Sequence, residues 1–174
     1  MTAPVWILVT DTTLLGAAMG LARTAGGPVT IVAVGTQRLA DAAASLGPDE
    51  VLWAEPGPDQ PAEAFASAVA AAAAAAGPHL LLGSPAPASR VLLGAAAARC
   101  GAALVSGVVS VTAAHDGIAA ERLTIGHTVL ESVVTAGPLA AIVGGEDSEA
   151  APGTPAPVLP MPGAPSGALH GARR

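Results

Sequence analysis

Within its first hundred residues the chain alternates short apolar runs with helix-like segments four times. Val5 to Val9, Val29 to Val34, Val51 to Ala54 and Leu80 to Leu82 are apolar runs of strand length. Apolar runs with no polar alternation indicate strands buried on both faces. Helical segments separate them. The first runs to about Thr24 and stops at Gly26-Gly27, with Asp11 or Thr12 placed to cap it. The second is Gln37 to Leu46, closed by Gly47-Pro48. The third, Ala62 to Ala76, opens after Pro61, and the fourth runs from Ser89 to Cys100. Strands joined this closely through helices require a parallel sheet, helices on both faces and right-handed crossovers. The fold class is therefore α/β.

After Gly101 the rhythm changes. Leu104 to Thr112, Ile118 to Ile125, Val129 to Thr135 and Ala140 to Val143 are strand-like, with no helix between them. The connections "AHDG", "GH" and "AGP" are turn signals. This half is expected to be an antiparallel strand meander extending the same sheet. From about Glu146 the chain is rich in proline, glycine and alanine without periodicity. The expected organisation is one domain over 1–147 and a flexible tail or linker over 148–174.

Composition excludes some function classes. The chain is 52% apolar and 11% charged, enough to build a core. The alanine excess and the use of arginine as the only strong base fit a GC-rich genome, so neither speaks to function. A net charge of −6 with no basic cluster argues against a nucleic-acid partner. The apolar N-terminal stretch is interrupted by Thr10-Asp11-Thr12-Thr13, so it reads as strand and helix. No membrane insertion is expected. A single cysteine, Cys100, rules out an internal disulfide and fits a reducing compartment. The expected location is cytoplasmic.

The loop "GSPAPASR", Gly83 to Arg90, lies between a strand and a helix, where α/β sheets bind anions. Gly83 and Ser84 would allow close backbone approach, and Arg90 could pair with a phosphate. Asp11, also at the carboxyl end of a strand, could accept from a ribose or an amine. These four are the candidate nucleotide-site residues. Against the cradle, Pro85 and Pro87 each remove an N–H donor, and no phosphate-binding glycine motif is present. A plain strand-to-helix corner, with Asp11 as a helix cap, is the favoured reading. His79, His115, His127 and His170 are scattered without metal-ligand spacing, and Cys100 reads as a small apolar residue. Glu121, Glu131 and Glu146 lie on different strands or turns. No catalytic constellation and no metal site are expected.

Segments in order along the chain resemble the N-terminal domain of the electron transfer flavoprotein alpha subunit. They are "SLGPDEVLWAE" (45–55), Gly83-Ser84 with Arg90, "GAAAARCGAALVSGVVSV" (94–111), "RLTIGHTVLESVVTAGP" (122–138) and "GGEDSEAA" (144–151). The family pattern has aspartate where Gly107 stands, glycine at His127 and a basic residue at Thr135. The resemblance implies an adenine-nucleotide-hydrolase-like three-layer fold. It implies a scaffold that pairs with a beta subunit and serves flavin-mediated electron transfer from acyl-CoA or other dehydrogenases, not a catalyst on its own. The family's C-terminal FAD-binding domain has no counterpart in these residues. FAD is therefore expected in the assembled complex and not on this chain alone, with AMP on the partner subunit. Two other readings stay open. One is a stand-alone AMP- or ATP-binding protein of the universal-stress type, using Asp11, Gly83, Ser84 and Arg90. The other is a structural protein that self-associates through a sheet edge.

Overall fold

The computed structural model describes residues 3–114, 117–126, 128–148 and 151–165. His115, His127 and His170 lie outside the described residues. The elements in chain order are β1 (Val5–Val9), α1 (Leu15–Ala25), β2 (Val29–Val34), α2 (Gln37–Ser45) and β3 (Glu50–Ala54). A short 3-10 segment (Ala62–Phe65) leads into α3 (Ala66–Ala76), then β4 (Leu80–Gly83) and α4 (Pro87–Cys100). Then come β5 (Ala103–Ala114), β6 (Gly117–Thr124), β7 (Val129–Thr135), β8 (Leu139–Val143) and β9 (Val158–Pro160). Among the described residues all nine strands form one sheet, ordered β7-β6-β5-β8-β4-β1-β2-β3-β9. Pairing is parallel from β5 across to β9 and antiparallel in β5-β6-β7 at one edge.

Successive side chains on a strand point to opposite faces, which divides the core in two. Val5, Ile7 and Val9 of β1 meet Leu15, Ala18, Met19 and Ala22 of α1 and Leu39, Ala43 and Ala44 of α2. Trp6 and Leu8 face the other way, toward Phe65, Val69 and Ala73 and toward Leu92, Leu93 and Ala96 of α4. Each fully buried leucine or isoleucine contributes about 1.5–3 kcal/mol relative to exposure. The alanines at the remaining helix positions let the helices sit close to the sheet.

Four expectations are corrected. First, α1 begins at Leu15, not beside Asp11, and Leu14 holds the cap position with φ 55°. Neither Asp11 nor Thr12 caps it with a side chain. Asp11 Oδ1 instead accepts from Thr13 N at 2.9 Å, and Thr12 O accepts from Leu15 N, so a turn uses the polar residues before the helix starts. Second, α4 starts at Pro87, two residues early, because proline at the first helical position sacrifices no hydrogen bond.

Third, β8 does not continue the meander. It inserts between β4 and β5, parallel to both, pairing Leu139 with Leu80 on one side and Ala103 on the other. Only a strand without polar alternation can lie there, and Leu139, Ala140, Ala141 and Val143 are all buried. Fourth, a strand follows Glu146. In β9, Val158 pairs with Val51 and Pro160 with Trp53. Pro157 O accepts from Val51 N at 2.9 Å and Trp53 O from Met161 N at 2.8 Å, while Met161 itself is buried.

The approach of residues 151–165 to β3 depends on a backbone contact between two glycines. A Cβ on Gly153 would lie 2.7 Å from both Gly47 Cα and Leu46 O, closer than real Cβ atoms come. Gly153→Ala is therefore expected to loosen this segment. Amide exchange at Val51 and Met161 should accelerate about tenfold in a hydrogen–deuterium exchange experiment. Unchanged protection at both would contradict the contact.

Candidate functional site

From β1 the chain proceeds through α1 to β2 on one side, and from β4 through α4 to β5 beyond β8 on the other. The crevice at the carboxyl ends of β1 and β4 is thus the place where strand order reverses. Open α/β sheets bind ligands at such a point. Leu8 pairs with Gly83, so Thr10 and Ser84 emerge at the lip of this crevice.

Three hydroxyls meet there. Ser89, in the first turn of α4, is fully buried, and Ser84 is nearly so. Ser89 Oγ accepts from Thr10 N at 3.0 Å and from Ser84 Oγ at 2.9 Å. With both acceptor positions used, its own proton goes to Thr10 Oγ1, 2.9 Å away. The serine therefore has no hydrogen-bonding capacity left, and it ties the end of β1 to the start of α4.

Gly83 is explained by packing as well. A Cβ there would lie 3.0 Å from Leu93 Cδ2 and 3.3 Å from Leu93 Cβ. The missing side chain seats α4 on β4. Ala86 provides no side-chain cap for α4, and the prolines at 85 and 87 donate nothing.

Arg90 is exposed on α4 and lines a shallow cleft of about 380 Å³ with Pro87, Val91, Leu104 and Ile142. That cleft includes none of Asp11, Gly83 and Ser84. A second cleft of about 620 Å³ lies beside α1 and α2, lined by Thr12, Leu15, Gly16, Ala42, Ser45, Leu46, Asp147 and Ser148. It too omits Asp11. Asp11 and Ser84 thus follow neighbouring strands, and Arg90 opens onto another surface.

Elsewhere several titratable groups have structural partners, His79, Arg122 and Glu131 among them. His79 Nδ1 lies 3.0 Å from Pro4 O, so that nitrogen carries the proton. Arg122 and Glu131 face each other on β6 and β7 and form an exposed ion pair, with Arg122 Nε donating to Glu131 Oε2 at 2.8 Å. Burial pushes the Cys100 thiol up, which disfavours the nucleophilic thiolate. Among the described residues no group of three or more metal-ligating side chains occurs, and no helix is long and apolar enough to cross a membrane.

The residues that sequence reasoning missed are Thr10 and Ser89. Neither belongs to a motif. The available signal was a serine within an otherwise apolar helix start, five residues after Ser84.

Comparison with known families adds one match. The family model described as the electron transfer flavoprotein domain matches residues 7–158, most of the chain. No curated protein matches it.

Proposed function

We propose a scaffold role, from the premise that the chain belongs to the electron transfer flavoprotein domain family. In this reading it is the alpha-subunit-like member of a complex. It pairs with a beta subunit, and the assembled complex holds FAD and passes electrons on from dehydrogenases. The chain contributes a rigid sheet and holds no cofactor of its own.

One observation supports the reading most: the hydroxyls at the switch-point crevice are bonded to one another. A phosphate or ribose there would need donors and acceptors that Thr10, Ser84 and Ser89 already exchange with one another. Breaking that network for a ligand would leave buried polar groups unpaired, at about 1–3 kcal/mol each. In this reading Ser89, already saturated, has nothing to offer an adenine nucleotide or the adenylate half of FAD, and no chemical step is routed through one here. The same observation counts against the stand-alone AMP- or ATP-binding reading.

Pairing is tested by mixing the full chain with a beta subunit of the family and measuring mass by light scattering. A complex holding the two chains in equal numbers, formed without added flavin, is the expected result. Two proteins that elute separately at micromolar concentration, with and without FAD, would overturn the pairing.

A further inference from the structure

The two edges of the sheet are built differently. At one end β9 is three residues long, carries Pro160 and follows Pro157, so it offers few donors to a further strand. At the other end β7 is seven residues long, has no proline, and is paired only on its β6 side among the described residues. Its single charge, Glu131, is neutralised by Arg122 on β6. Leu130 and Val134 are 56% and 69% exposed. Natural sheets blunt such an edge with charge, proline or brevity, and β7 uses none of these.

We infer that the β7 edge is a pairing site for a second copy of this chain, joined antiparallel about a twofold axis at Ser132. The strand is self-complementary in that register. Ser132 is the midpoint of Val129–Thr135, so all seven residues find partners. Leu130 meets the second copy's Val134, and the reciprocal pair forms on the same face. Two apolar pairs then flank a central Ser132 pair on that face, and cross-strand apolar pairs of this kind contribute roughly 0.2–1 kcal/mol each. Centring the axis one residue earlier would set Glu131 against its own copy, a like-charge pair that is destabilising. The symmetric strand pair is an isologous interface, which closes as a dimer and does not propagate.

The test uses the full chain. Light scattering across a concentration series should give twice the 16.6 kDa chain mass at the upper end. Leu130→Glu and Val134→Lys should each shift the midpoint at least tenfold toward monomer. A Ser132→Cys variant in a Cys100→Ser background should cross-link to itself under mild oxidation. Thr135→Cys in the same background should not, because its symmetry mate lies about 20 Å away along the strand at 3.4 Å per residue. A monomeric mass throughout, or equal cross-linking at both positions, overturns the inference. So does a dimer that the β7 variants leave unchanged.

Discussion

Ser89→Ala lowers stability by about 2–4 kcal/mol, because a buried donor, the Ser84 hydroxyl, and a half-buried one, the Thr10 amide, lose their acceptor together. Unfolding in urea should show this as a lower midpoint with an unchanged slope. The melting temperature should fall by roughly 5–10 °C for a chain of this size. Ser84→Ala removes a single hydrogen bond and leaves Ser89 bonded to Thr10, so it should cost only about 1 kcal/mol. The ordering of the two variants separates a structural network from a waiting ligand site. If Ser89 were held in reserve for a phosphate, its replacement would leave stability near the wild-type value and remove anion binding instead.

Gly107→Asp, the residue expected here from the sequence resemblance, should be comparably damaging. Gly107 has φ 76°, in the left-handed region, and sits where the register of β5 shifts against β8; the shift against β6 follows at Val109. A Cβ there would lie 2.7 Å from Leu123 O. On its other side a Cβ on Gly144 would come 2.8 Å from Gly107 Cα, so the backbone around this bulge is close on two sides. Backbone strain of this kind costs about 1–3 kcal/mol, and relieving the contact with Leu123 adds displacement of β6. A loss of about 3 kcal/mol is the expected total, with increased amide exchange along β6. Gly107→Ala brings the same Cβ without the charge. It should reproduce most of the loss, which assigns the effect to shape. A tolerated aspartate would mean that the bulge adjusts freely and that glycine is not required there.

Much of the fold was legible because buried parallel strands carry a strong signal. Val5–Val9 and Leu80–Gly83 are apolar throughout, and glycine or proline marks most of the helix boundaries. The position of β8 was harder. "LAAIV" looks the same as the last strand of a meander or as a central strand, and only its lack of polar alternation distinguishes the two. The strand β9 was not legible because it lies among prolines and is held mainly by backbone hydrogen bonds to Val51 and Trp53, which carry no side-chain pattern.

At the candidate site the sequence located the loop and counted its lost donors. It could not show that Ser89 would be turned inward, since one helical residue can face sheet or solvent depending on where α4 begins. Starting at Pro87 places Ser89 over Thr10, whereas a start at Ser89 would have made it an exposed cap. Two residues of boundary therefore decided whether Ser89 was free or engaged.

A scaffold whose crevice hydroxyls bond to one another should leave nucleotides unbound, which equilibrium dialysis of the full chain against FAD, AMP and ATP in turn measures. No retention of any of the three tighter than about 1 mM, a free energy near −4 kcal/mol, is expected. Stoichiometric retention of FAD or of either nucleotide by the lone chain would contradict it.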